Sequence, residues 1–349
     1  MTKVRLTAVA AVEATARTRL GLFTLADANA CGLSTSLLKY HCRRARWSRL
    51  LPGVYGLNDV PDSAQRPMLA ALLWAGPTAV LSHRTAAAML GLDGIVPSPV
   101  ELWARRAHGT TGVIVHRGEI EPRDVVRTGL LRATRLRRTV IDLASVLDDD
   151  LLELVVESAL RRDRNLDFDR PAGTCGAARL RRVLARRPPG APPTESELET
   201  RYLQLIRAAA LPPPVRQHTV FDDVGRCVGR LDVCWPEVGL WVELDGRATH
   251  TQGPALLSDR HRQNQLADRL QWLPLRFTWE DVVARPRQTA RFTEHAYARR
   301  RVQAEGTVAG LPQQRQPSQT VVSWRGRGWL TSAGIGRRQL PLARTAVAG

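Results

Sequence analysis

The sequence predicts a multi-domain α/β protein, and three observations carry that expectation. Stretches with helical spacing alternate with short runs of β-branched and aromatic residues along a chain of 349 residues, long enough for two domains and a third. A proline-dense break, Pro188-Pro-Gly-Ala-Pro-Pro193, divides two such regions. From residue 307 to 349 Asp and Glu are absent while Gly, Pro, Gln and Arg accumulate, so this segment is expected to be a disordered basic tail. The expected divisions are 1–60, 61–172, a linker at 173–193, 194–300 and the tail at 306–349.

The net charge of +18 points to a polyanionic partner, with nucleic acid first, against the plainer reading of an arginine-rich proteome. No uncharged apolar stretch reaches the ~18 residues of a membrane span, and the N-terminus lacks a signal-peptide core. Five scattered cysteines, Cys31, Cys42, Cys175, Cys227 and Cys234, form no C-x-x-C pair. They support neither a disulfide framework nor a zinc site, and a reduced, cytoplasmic protein is expected.

Residues 5–20 have helical spacing, Phe23–Ala30 reads as a second short helix, and Ser34 caps a third over Thr35–Arg46. Trp47-Ser-Arg-Leu-Leu-Pro-Gly-Val-Tyr-Gly56 follows as two strands around a Pro-Gly turn. Three small helices and a hairpin are the parts of a winged helix-turn-helix. The third helix carries Lys39, His41, Arg43, Arg44 and Arg46 and no acidic residue. That is the charge a helix needs to lie against phosphates in a major groove, so Lys39, Arg43, Arg44 and Arg46 are the expected DNA-binding residues. Gly21-Leu-Phe-Thr, Gly32-Leu-Ser, Trp47-Ser-Arg-Leu-Leu-Pro-Gly-Val-Tyr and, less sharply, Ser82-His-Arg-Thr-Ala-Ala-Ala-Met-Leu-Gly-Leu92 resemble the abortive-infection (AbiEi-type) antitoxin family over about residues 15–160. The resemblance implies sequence-specific DNA binding, repression of the protein's own operon and room for a cognate toxin as partner.

The middle region is expected to be α+β. Two helices flank Gly76-Pro77 within 62–92, strands lie at Val100–Trp103, Val113–His116 and near Leu131–Arg135, and helices cover Thr139–Leu147 and Asp150–Arg161. His83 and His116 have no acidic or cysteine neighbour in sequence and are read as structural.

Beyond the linker, Thr194 or Ser196 caps a helix with the stripe Leu198, Tyr202, Leu205 and Ile206. The strands Val228–Trp235 and Leu240–Asp245 then form a hairpin whose alternation sets Trp241, Glu243 and Asp245 on one face, with Leu240, Val242 and Leu244 on the other. Carboxylates are scarce in strands and repel when adjacent. With Asp232 on the partner strand, three on one hairpin point to a bound cation of the Mg²⁺ type, or else to a solvated acidic face. Pro254–Leu270 is a helix on which Asp259 and Arg262 share a face, Gln271–Thr278 returns as a strand bearing Arg276, and a last helix starts at Trp279. The whole gives a mixed sheet flanked by helices.

Ser196-Glu-Leu-Glu199, Gly229-Arg-Leu-Asp232, Val242-Glu-Leu-Asp-Gly246, His250, Asp259-Arg260, Asn264 and Leu275-Arg-Phe-Thr-Trp279 closely resemble PD-(D/E)xK, restriction-endonuclease-like domains related to very-short-patch repair endonucleases. By that resemblance Asp232 and Glu243 hold Mg²⁺ or Mn²⁺, Glu199 completes the site, and Asp245 occupies the place of the nuclease lysine. His250 or Asp245 would then handle protons, with Asp259, Arg262 and Arg276 supporting. Gln271 stands where the family has Gly, which bears on turn geometry. Two functions follow: a DNA-binding, metal-dependent endonuclease, or a non-catalytic antitoxin-like repressor whose nuclease fold is degenerate.

Overall fold

The computed structural model describes residues 2–96, 99–105, 110–168, 175–246, 264–266 and 268–308, with side chains from residue 7 to 305. The chain divides into a compact unit, Met1–Gly306, and a C-terminal one, Thr307–Gly349, of which only Thr307 and Val308 are described. The fold is mixed α/β, with three sheets among the described residues.

The first region runs α1 (Thr2–Arg17), β1 (Leu22–Thr24), α2 (Leu25–Ala30), α3 (Thr35–Arg43), β2 (Trp47–Leu51) and β3 (Val54–Leu57), with the antiparallel order β1-β3-β2. The helix expected from Phe23 starts two residues later. Leu22–Thr24 pair with β3, and Thr24 caps α2 in a reciprocal box with Asp27. Phe23 is thereby turned inward, edge-on to Trp47 at 5.0 Å, with Val12, Ala16 and Leu38 beside them. Ser34 caps α3 by accepting from Leu37 N at 3.3 Å. The helix stops at Arg43, short of the expected Arg46, because Ala45 takes a left-handed backbone (φ 52).

The middle region contains α4 (Gln65–Ala75), β4 (Val80–Leu81), α5 (His83–Met89), β5 (Val100–Ala104), β6 (Val113–Arg117), β7 (Val125–Thr128), β8 (Leu131–Thr134), α6 (Leu136–Leu143), α7 (Asp149–Arg162) and α8 (Ala177–Ala185). Its sheet has the order β6-β5-β4-β8-β7. Strand β7, not anticipated, is the first half of a tight hairpin turning at Gly129 (φ 59). On α7 the stripe Leu152, Val155, Val156 and Ala159 is at most 1% exposed, as its spacing requires. The arginine-rich helix α8 is not a bare spacer: Leu180 and Val183 pack into the α7 core, and Arg182 and Arg186 reach Asp149 and Glu153 of α7 at 2.9 Å each.

The last region runs α9 (Glu197–Ala208), β9 (Val215–Phe221), β10 (Cys227–Trp235), β11 (Leu240–Asp245), helical residues 264–266 and 268–270, β12 (Leu273–Thr278), a π-turn (Glu280–Ala284) and α10 (Pro286–Val308). The order is β12-β11-β10-β9, with β11 and β12 parallel and the other pairs antiparallel. Tyr202 and Ile206 of α9 and Tyr297 of α10 cover one face over Val233, Trp235, Leu240 and Val242. Trp241 does not share a solvent face with Glu243. It is 2% exposed, packed with Leu231 and Cys234 under Leu266, so both faces of β11 are covered at its start. Burial gives way only at Glu243, Leu244 and Asp245. Gln271 holds a left-handed backbone (φ 53), a conformation that glycine adopts without strain.

Candidate functional site

The open end of β11 is where the acidic side chains gather. Ser196 caps α9 by accepting from Glu199 N at 3.1 Å. Glu199, on the first turn, is thereby held inward, accepting from Glu195 N at 3.0 Å and from Gln217 Nε2 at 2.8 Å. The ladder pairs Leu231↔His218 and Val233↔Arg216, which sets Gln217 opposite Asp232. On the other side, Val233↔Val242 carries Asp232 to the position facing Glu243. Asp232 Oδ2 accepts from Leu244 N at 2.9 Å. Asp232 and Glu243 line an open cavity of about 590 Å³ together with Glu195, Thr219, Gly229 and Arg230.

Asp245 stands one step outward. Arg276, which pairs in register with Glu243, places Nε 3.4 Å from Asp245 Oδ2. A guanidinium from β12 therefore sits beside the position where the nuclease resemblance expects a lysine. His250, Asp259 and Arg262 lie outside the described residues.

Burial pushes Glu199 up to about 7, with the charges of Asp232 and Glu195 adding to the rise and the hydrogen bonds from Glu195 N and Gln217 opposing it. Between its ordinary 4.5 and about 7 the folded protein holds this proton more tightly than the unfolded chain, so stability falls as pH rises through that window. The loss by pH 8 is at most about 3 kcal/mol. Glu199→Gln removes the titration, so urea unfolding at pH 5 and pH 8 is expected to show a smaller pH loss for the variant than for wild type. Equal losses in the two proteins exclude this assignment.

Asp232 and Glu243 supply carboxylate oxygens, the donor type a hard divalent cation takes, while the oxygens of Asp232, Glu243 and Glu199 do not close into one three-ligand group. Beside Glu199, Gln217 Oε1 is a buried acceptor with no protein partner, carried on a left-handed backbone (φ 51). Asp232 and Glu243 are the residues that would hold Mg²⁺ or Mn²⁺. Gln217 was missed in the sequence because an isolated glutamine on a strand carries no signal until the ladder sets it against Asp232.

In the N-terminal region Lys39, Arg43 and Arg44 are exposed, with the Arg44 guanidinium 5.7 Å over the ring of Tyr40. Arg46 differs. It forks onto Glu13 of α1 at 2.7 and 2.8 Å, and Glu13 also accepts from Trp47 Nε1 at 3.1 Å. The Arg46 hydrogen bond comes first among the causes holding Glu13 below the usual carboxylate range. This arginine clamps α1 to the start of β2, while its side chain stays 54% exposed.

The middle sheet gathers a third set. The expectation that His83 and His116 lack an acidic companion is overturned: Glu101 Oε2 lies 2.8 Å from His116 Nε2, and the two imidazoles stack at 3.4 Å with 16° between planes. Ligand atoms of His83, Glu101 and His116 lie within 4.8 Å of one another. Parallel register brings His116 beside Trp103 two residues from Glu101, and His83 opens α5 directly after β4. Burial, with the neighbouring His116 charge next, drives His83 down to about 3.

No helix among the described residues is long and apolar enough to cross a membrane. No protein-family model matches the chain, and no curated protein matches it.

Proposed function

We propose that this chain is a DNA-binding protein whose C-terminal domain hydrolyses DNA phosphodiesters with Mg²⁺ or Mn²⁺. The observation that carries the reading is that Asp232 and Glu243 face each other across the β10–β11 ladder and line one open cavity at the open end of a mixed sheet, with Glu199 close enough for the Asp232 charge to act on it. A cation held there would polarise the scissile phosphate and acidify a bound water. Arg276 beside Asp245 offers positive charge to the phosphate, the part a lysine plays in the PD-(D/E)xK domains that this segment resembles. Glu199, titrating near neutral pH, is suited to exchange a proton. The helices α1–α3 with the β2–β3 hairpin support a winged-helix reading, in which α3 presents Lys39, Arg43 and Arg44 to phosphates and bases. The test is incubation of the purified chain with supercoiled and linear DNA under Mg²⁺, Mn²⁺ or chelator. Metal-dependent nicking is expected, and no cleavage under either metal rejects the enzyme.

A second reading is favoured by one observation, the carboxylate of Asp245 in the lysine position. A site without that cation suits an antitoxin-like repressor that keeps the nuclease fold for binding DNA or a cognate toxin. Both readings share the DNA interface. Replacing Arg43 and Arg44 with Ala is expected to flatten the dependence of log K on log salt by about two counterions. An unchanged slope removes α3 from the interface.

A further inference from the structure

We infer that His83, Glu101 and His116 form a second metal site, distinct from the carboxylate cluster and selective for Zn²⁺-like borderline cations. The non-ligating polar atoms of His83 and Glu101 are already engaged. Ser82 Oγ holds His83 Nδ1 at 2.9 Å, which leaves Nε2 as the ligating nitrogen. Arg84 donates to Glu101 Oε1 at 3.1 Å and splits its fork with the Val146 carbonyl, so Oε2 is the oxygen turned to the imidazoles. Thr85 Oγ1 accepts from Glu101 N at 2.8 Å and fixes the strand beneath. Partners of this kind orient the ligands of a metal site and set their tautomers.

Two imidazoles and one carboxylate suit Zn²⁺ and its first-row neighbours, whereas Mg²⁺ prefers an all-oxygen shell. Stacked rings direct their in-plane lone pairs along parallel lines. Shared coordination therefore requires one ring to splay, with the ion replacing the 2.8 Å contact between His116 and Glu101. Of the two rings His116 has the freedom for this: its side chain is 19% exposed, whereas His83 is 1% exposed. Trp103 lies 5.5 and 5.6 Å from the two rings and walls the site, and its Nε1 and the neighbouring Arg138 are both satisfied by Asp142. Three protein ligands leave a fourth position for water on the exposed edge of His116.

The test titrates the chelator-treated full chain with Zn²⁺ alone by calorimetry, in an Asp232→Asn, Glu243→Gln background that silences the acidic cluster. One tight equivalent is expected in this background, weakened at least 100-fold by His116→Ala, the variant with the least buried side chain. Co²⁺ substitution gives a reading that needs no triad variant: intense visible d–d bands of a four-coordinate nitrogen–oxygen site are expected. Equal Zn²⁺ affinity with and without His116, the faint spectrum of six-coordinate Co²⁺, or a thiolate charge-transfer band each overturns the site. Failure of DNA cleavage leaves this outcome untouched, since the two centres share no residue.

Discussion

Asp232→Asn is expected to lower metal-dependent DNA cleavage by about 10³-fold or more while leaving DNA affinity within about threefold of wild type. The substitution keeps size and keeps an oxygen to accept from Leu244 N, so the ladder between β10 and β11 survives. What it removes is one of the charges available to the cation. The remaining neighbours, Glu243 and Glu199, include one whose affinity for its proton is already raised, so they compensate poorly. Without metal, the loss of one carboxylate beside Glu199 relieves repulsion, and the variant should melt no lower than wild type. With Mg²⁺, wild type should gain melting temperature and the variant should not. The proposed DNA contacts Lys39, Arg43 and Arg44 lie on or just after α3, over a different core, so affinity should not follow cleavage. A variant that still cuts within tenfold of wild type removes Asp232 from the site. A wild type that binds DNA yet neither cuts nor responds to metal leaves the repressor standing.

How much was legible in the sequence depended on how local the determining contacts are. Helices α7 and α9 and the β10–β11 hairpin could be read because their spacing, caps and turn lie within a dozen or so residues. Thr24 misled, since a residue that caps a helix and a residue inside one look alike until strand pairing fixes Phe23. Alternation in β11 correctly separated Trp241 from Val242, yet it could not show that Trp241 is roofed by Leu266, a neighbour brought in by folding. The same holds for the sites. Asp232 and Glu243 face each other across one turn and were visible, whereas Glu13 with Arg46, and Glu101 with His116, meet only through packing and parallel register. Charge counting along the sequence likewise could not show that Arg46 pairs with Glu13, which sits on a different helix.

The largest expected loss of stability lies where α7 meets the C-terminal region. Glu157 is 2% exposed, pairs with Arg187, accepts from Thr194 N at 2.9 Å and lies 3.7 Å from Arg216 on β9. One carboxylate thus ties together the end of α8, the entry to α9 and the first strand of the last sheet. Glu157→Ala leaves two guanidinium groups largely buried without their counter-charge, together with a buried backbone N–H that has lost its acceptor. Breaking a buried pair by removing one partner costs about 3–5 kcal/mol, which corresponds to a drop of roughly 5–15 °C in melting temperature at this chain length. Arg207→Ala is the contrast. It removes a partner of Glu153 from a side chain that is 39% exposed, and Arg186 remains on that carboxylate, so the expected loss is under about 1 kcal/mol. Glu157→Gln separates the terms, since it keeps an acceptor for Thr194 N and discards only the charge; its melting temperature should fall between wild type and Glu157→Ala. Scanning calorimetry of the three variants decides the matter. If Glu157→Ala melts within about 2 °C of wild type, the buried network contributes little, and the junction is held by the apolar contacts of α7, α8 and α9 alone.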